Sequence, residues 1–506
     1  MAQKTAIIIG AGYSGMALVN LLGKAGYKVD VFEKNSSAGG RISVKNQDGF
    51  LFDLGPSWYL MPEVFEQYYR LLGESSRKRL DLIRLDPGYK VFFEDGRQAT
   101  VRGDVEIDAA VFENIERGAG DKLKRYVKRS TETYELAVKS FLYNNRWNLS
   151  DFMKLEILSR SPRMLQMLAR TLDQHVRSNF KDKRLQQILE YHSVFLGSSP
   201  FEAPAIYSLM SHLDFKSGIF YPRRGMPSLV DDQLDISKKF DIEYHYGSPV
   251  RQINTDGDIA SGVTLVDGSA HEAEVVISSA DLHFTETQLV PESKRSYPQS
   301  YWKKRQAGPG AFLISIGIKG ELPQLNHHNL YFVDDWKGNF KDIYKTKRIP
   351  DSASLYVCNP SKTDTSLAPD GYENLFVLMP IPSGVNLSPE QQERLYSKTI
   401  NILAESMEIP DLSSRIVTRN LFGPQDFQDQ FNAWQYNAFG GESHLLRQSV
   451  IFRTPNKSKK LKNLFYVGAG TVPGIGLPMC LISAQLTYKQ IAGIDRSGPL
   501  EVEDLK

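Results

Sequence analysis

Thr5-Ala6-Ile7-Ile8-Ile9 is a short unbroken apolar run rich in β-branched residues, the pattern of a strand buried on both faces. Gly10-Ala11-Gly12-Tyr13-Ser14-Gly15 interrupts it, Met16 to Ala25 reads as a helix, and a second apolar run, Tyr27 to Phe32, ends at Glu33. This order predicts a βαβ unit. Ser248 to Ile253, Ala260 to Val266 and Glu274 to Ser278 predict further strands, and Asn463 to Val467 predicts one that runs into glycines. Residues 110–215 are expected to be helix-rich and 295–455 mixed. No repeat with a period of about twenty to fifty residues occurs, which argues against solenoids and propellers. The uncharged run between Lys462 and Lys489 has the length of a membrane span. Pro473, Pro478, Gly468, Gly470, Gly474 and Gly476 would break its helix, so buried irregular structure is expected, with a helix beginning within Cys480 to Leu486.

Composition narrows the function classes. A chain of 506 residues, 41% hydrophobic and 24% charged, has material for two to four domains and a large core. Lys and Arg number 61 against 59 Asp and Glu, a balance that argues against bulk coating of nucleic acid, so no nucleic-acid partner is expected. Cys358 and Cys480 are the only cysteines and form no Cys-x-x-Cys pair, which disfavours a disulfide scaffold, a Cys-rich zinc site or a dithiol redox centre. Met1 to Thr5 leads straight into the first apolar run without the parts of an export signal, so a cytoplasmic location is expected.

The glycine turn carries the strongest chemistry. Gly10 permits the tight turn, Gly12 lets backbone approach a pyrophosphate, and Gly15 lets helix and strand pack closely. Tyr13 and Ser14 stand at the helix amino terminus, whose N–H groups suit an anion. Glu33, with Lys34 after it, lies 18 residues past Gly15, where an acid accepts from both ribose hydroxyls of an adenosine. Gly39-Gly40-Arg41 follows, with two glycines for close passage and a guanidinium for phosphate, and then Asp53-Leu54-Gly55-Pro56-Ser57.

From Gly39 onward the chain resembles FAD-binding flavoproteins of the amine oxidase and carotene desaturase superfamily. The tail, Gly468-Ala469-Gly470-Thr471 and Gly474-Ile475-Gly476-Leu477-Pro478-Met479, is similar to the second flavin contact of the bacterial phytoene (carotene) desaturase family. Gly197 to Phe201, Gly218 to Met226, Asp364 to Gly371 and Asp429 to Ala433 extend the resemblance over nearly the whole chain. It implies an α/β fold: a Rossmann-like FAD-binding domain of the GR2 type, an α+β substrate-binding domain and a helical membrane-associating insertion. The expected division is 1–75, 220–290 and 456–506 for FAD, 76–110 and 291–455 for substrate, and 111–219 for the insertion. In relatives Val250 sits where backbone reads the adenine, and a core strand valine suits the sequence equally.

The resemblance implies desaturation of a linear, phytoene-type polyene, with hydride passing from an allylic carbon to FAD and a proton leaving its neighbour. FAD is expected to be non-covalent. A second nucleotide fingerprint is missing: Gly308-Pro309-Gly310 lacks its third glycine, and Pro473 stands where that of Gly468-Ala469-Gly470 should be. Quinone or dioxygen is therefore the expected acceptor.

No catalytic base and no metal site are assigned, since His-x-x-x-His, Gly-x-Ser-x-Gly and Walker patterns are absent. His327-His328 reads as a solvated loop, and His175 and His192 as ordinary helix residues. Phe195, Phe201, Tyr207, Leu209 and Met210 are candidate tunnel lining or plain core. Residues 141–185 hold nine Lys or Arg against four acids, beside Trp147, Phe152 and Met153. That composition suits a helix resting on an anionic membrane, here the inner face of the cell membrane, or an ordinary amphipathic helix. A carotenoid isomerase or retinol saturase, a flavin amine oxidase and a prenyl-binding protein of the Rab GDI type are the alternatives.

Overall fold

The computed structural model describes residues 3–144, 164–449 and 452–505. The expected βαβ unit consists of strand Thr5–Ile9, helix Tyr13–Lys24 and strand Lys28–Phe32. Its strands belong to a five-stranded, wholly parallel sheet ordered Leu464–Tyr466, Val275–Ser278, Thr5–Ile9, Lys28–Phe32, Ile242–His245. Three distant parts of the chain thus share one sheet. Helix Tyr13–Lys24 packs against the sheet and against helix Leu477–Ala492, so eleven of its twelve residues are buried. A helix enclosed on so many sides carries little of the one-faced patterning of a surface helix.

Beside this sheet lies a three-stranded antiparallel one, Val250–Asp256, Ile259–Leu265 and Ala270–Glu272. A seven-stranded sheet is ordered Ile416–Phe422, Gly310–Lys319, Tyr372–Ile381, Leu355–Cys358, His328–Phe332, Tyr89–Phe93, Gln98–Val101. Its pairings are antiparallel except between His328–Phe332 and Tyr89–Phe93. Helices Val105–Ile115, Ala119–Leu136, Leu172–Arg177 and Lys183–Glu190 fill much of the stretch expected to be helical. Arg146, Lys154, Arg160 and Arg163 of the basic segment lie outside the described residues.

Two expectations are corrected. In the run between Lys462 and Lys489 the expected strand is Leu464–Tyr466 and irregular chain follows it through Gly476, but the helix begins at Leu477, ahead of the stretch expected to start it. Pro478 sits in that helix's first turn, where a missing N–H costs nothing. Among the described residues no helix is long and apolar enough to cross a membrane. His327 and His328 are not a solvated loop either. Both are buried, with His328 opening a strand of the large sheet. Each ring satisfies one nitrogen inside the protein, through Thr363 Oγ1 and the Tyr356 hydroxyl, and that tertiary pairing outweighs the polarity of the dipeptide.

Candidate functional site

A cavity of about 850 Å³ begins at the carboxyl ends of the parallel strands, where Ile9, Phe32, Ser278 and Tyr466 line it. Open α/β sheets place ligands at this edge because the loops there diverge. Gly10, Gly12, Tyr13, Ser14, Glu33, Lys34, Gly40, Arg41, Gly55, Pro56, Ser57, Val250, Gly468, Gly470, Thr471, Gly476, Leu477 and Met479 all line it. Gly15 lies behind the wall, where a Cβ would stand 2.8 Å from both the Gly10 carbonyl and Ser279 Oγ. Its role is close packing.

Helix Tyr13–Lys24 starts at Gly12 with no side-chain cap and no acid in its first turn. Its first N–H groups therefore lack side-chain acceptors at the cavity edge. The second glycine loop crosses the first: Gly39 N–H donates to the Ala11 carbonyl at 2.8 Å, and Gly12 and Gly39 form a parallel bridge. Glu33 closes the strand and is fixed by the N–H groups of Ala11 (2.7 Å) and Asn35 (2.8 Å). The Arg41 guanidinium donates to the carbonyls of Ala438 (3.0 Å) and Asn437 (3.3 Å), and no carboxylate lies within 4.0 Å of it among the described residues. Burial pushes its pKa down, so an anion beside it is favoured. An uncapped helix terminus, a largely enclosed guanidinium and a ribose-length acid fit the two phosphates and adenosine of a dinucleotide.

At the other wall stand residues that no local motif announced. Arg453 donates from Nε to the Thr471 carbonyl at 2.9 Å and from Nη2 to that of Ala469, which clamps the Gly468–Thr471 turn. His444 Nδ1 lies 2.7 Å from the Leu196 carbonyl, so it carries the proton and donates. Burial, with Arg453 beside it, pushes the His444 pKa down to about 3, and the ring is neutral throughout the physiological range. Ser279 and Asp281 also line the cavity, on the turn after Val275–Ser278.

From this cradle the cavity continues as an apolar arm between the large sheet and the helical layer, past Trp58, Phe195, Met210, Phe332, Phe340 and Phe376. Tyr207 and Leu209 line it as expected, but Phe201 does not; it packs behind Phe340, ring centroids 6.1 Å apart. His192 is buried against Asp214 at 2.7 Å, and His175 lies tilted beside Tyr126, ring centroids 5.4 Å apart; neither lines the cavity. Trp336, in the arm's wall, donates from Nε1 to Glu190 Oε2 at 2.8 Å, while Glu190 Oε1 is buried without a partner. Burial, with Asp173 nearby, pushes the Glu190 carboxyl up to about 8 against that opposing bond. Its proton is held more tightly folded than unfolded, so the stabilisation is complete below the usual glutamate pKa and is lost as pH rises through about 8. Thermal unfolding should show wild type losing stability between pH 5 and pH 8. Glu190→Gln should lose markedly less over that interval; parallel curves would refute the assignment.

The profile of the family described as flavin containing amine oxidoreductase matches residues 13–491. A protein of Haloarcula japonica named carotenoid 3,4-desaturase is 39% identical over 96% of this chain and 97% of its own. A zeta-carotene-forming phytoene desaturase of Myxococcus xanthus is 34% identical over 96% and 93%. Among solved structures, putrescine oxidase bound to putrescine superposes with a TM-score of 0.64 over 98% of this chain and 100% of its own, at 14% identity, a likeness of fold.

Proposed function

Because the chain belongs to the family of flavin containing amine oxidoreductases, we propose that it is an FAD-dependent desaturase of a linear carotenoid. Carotenoid and phytoene desaturases are its relatives at 39% and 34% identity over nearly full length. The observation that carries the substrate class is the single cavity in which the dinucleotide cradle opens into a long apolar arm. A hydrocarbon fits such an arm because it has no polar group to satisfy.

When bound, FAD supplies an acceptor for a hydride. The residues that hold it are Gly10, Gly12, Tyr13, Ser14 and Arg41 at the phosphates, Glu33 and Lys34 at the ribose, and Val250 at the adenine. Gly40, against Gly12, would stand at the phosphates too, and Gly55, Pro56, Ser57, Gly468, Gly470, Thr471, Gly476, Leu477 and Met479 would serve the flavin end. The arm's aromatic and aliphatic side chains would fix an otherwise featureless chain against the flavin end of the cradle. Such positioning contributes several kcal/mol without a strong base. The same walls exclude water. Incubation of the FAD-loaded protein with phytoene in vesicles tests this reading: the extract should gain longer-wavelength polyene bands, and an unchanged spectrum overturns it.

The acceptor for the electrons is a quinone or dioxygen, since only one dinucleotide fingerprint is present. The protein collects its substrate at the cytoplasmic membrane surface through the basic, apolar stretch 141–185. Each basic residue near an anionic surface contributes about 1 kcal/mol. In flotation assays the protein should rise with anionic vesicles and release as salt increases. Reversing Arg160, Arg163 and Arg170 to Glu should weaken binding by at least about tenfold; equal flotation of that variant ends the claim.

A further inference from the structure

We propose that His327, His328 and Cys358 form a binding site for one soft cation, copper(I), outside the flavin and substrate cavity. His328 opens strand His328–Phe332, Cys358 closes strand Leu355–Cys358, and the two are direct partners in that antiparallel pair. His327 precedes His328 at the strand's entrance. One donor atom from each residue lies within 4.8 Å of the other two. A three-coordinate site, with bonds of roughly 2.0 Å to nitrogen and 2.3 Å to sulfur, needs donors about 3.5 to 3.8 Å apart. The 4.8 Å limit exceeds that spacing by about 1 Å, to be closed by side-chain rotation.

The hydrogen bonds aim the rings. His327 Nδ1 is 2.7 Å from Thr363 Oγ1, and His328 Nδ1 is 2.7 Å from the Tyr356 hydroxyl, which Ser57 Oγ holds in turn at 2.6 Å. Both Nε2 atoms are buried with no hydrogen-bond partner. The rings themselves are 4% and 0% exposed and Cys358 is 1%, so water does not compensate them. With Nδ1–H donating to the hydroxyls, each Nε2 presents a lone pair, as in metal-ligating histidines oriented by an outer partner. Trp58 locks the arrangement by stacking on His328, ring centroids 4.2 Å apart and planes 6° apart. Trp58 and Tyr356 line the cavity while the three donors do not.

Charge selects the ion. As the S–Cu bond forms, the Cys358 thiol proton leaves to solvent, and thiolate with copper(I) is neutral. A divalent cation would leave a net positive charge in a dry interior, which is costly. Two imidazoles and one thiolate are also a soft, low-coordination set. No redox step is involved. The metal pins the edge of the strand pair that backs Trp58.

Anaerobic titration of the FAD-loaded protein against a chromophoric copper(I) chelator tests the site. Wild type should take up one equivalent, and X-ray absorption at the copper edge should show one sulfur and two nitrogen neighbours. Cys358→Ser and His327→Gln should each bind at least about tenfold more weakly, whereas Cys480→Ser should bind as wild type does. Flavin absorbance and the unfolding midpoint report whether each variant folds. If Cys358→Ser does not fold, His327→Gln and the wild-type spectrum carry the test. No uptake by wild type, uptake unchanged in His327→Gln, a spectrum without sulfur, or preference for Zn²⁺ overturns the proposal.

Discussion

Gly12→Val folds and purifies without flavin. Gly12 has φ −70° and ψ 161°, backbone that valine adopts without strain, and the only atom within 4 Å of an added Cβ is Ser279 Oγ at 3.6 Å. The protein itself therefore has room for the Cβ. The loss of a good helix cap costs on the order of 1 kcal/mol. The pyrophosphate has no such room, because the branched side chain would stand where backbone must approach the anion. FAD affinity should fall at least a hundredfold, about 3 kcal/mol, and turnover with it. Flavin absorbance per protein and isothermal titration with FAD measure this. Gly15→Val separates the two glycine roles: its Cβ meets protein atoms at 2.8 Å, so it should lower the unfolding midpoint directly. A Gly12→Val protein that keeps stoichiometric FAD would contradict the cradle.

Met210→Asp retains FAD and loses turnover. Met210 is half-buried and lines the cavity beside Leu209, with the carboxylate's new position facing the space assigned to hydrocarbon. Packing a polyene against that charge means desolvating it with no partner, a cost of several kcal/mol. The ratio kcat/KM for polyene should drop about a hundredfold or more, while flavin content stays at the wild-type level. Met210→Leu, similar in volume and equally apolar, should remain within about threefold. Equal activity of the aspartate variant would remove this arm from the substrate path.

The dinucleotide half of the molecule is legible in the sequence because its determinants are local. A buried run, a glycine turn and a terminal acid within residues 5–33 suffice to place Gly10, Gly12 and Glu33 along one edge. The tail is legible for the same reason, as Gly468 and Gly470 stand just past a short strand and Gly476 just before a helix. Determinants that depend on tertiary pairing are not. Arg453 clamps the Gly468–Thr471 turn and His444 binds the Leu196 carbonyl, both from outside any motif, and no spacing marks either. The His327-His328 pair has the polarity of a loop; its burial depends on Thr363, Tyr356 and Trp58, which reach it from other segments. Phe201 illustrates the opposite limit: it belongs to the right cluster but faces Phe340 instead of the cavity, a difference of side-chain direction that composition does not encode.

The claim that a cradle-bound flavin desaturates a hydrocarbon in the adjoining arm is tested most directly by a single anaerobic turnover. FAD-loaded protein would be mixed with vesicle-borne phytoene without any acceptor, and flavin absorbance and the extracted polyene followed together. The account predicts loss of the oxidised-flavin band in step with one new double bond per flavin, and no further desaturation until quinone or oxygen is admitted. A polyene that changes only in cis–trans geometry while the flavin remains oxidised, or one that gains hydrogen, would contradict it.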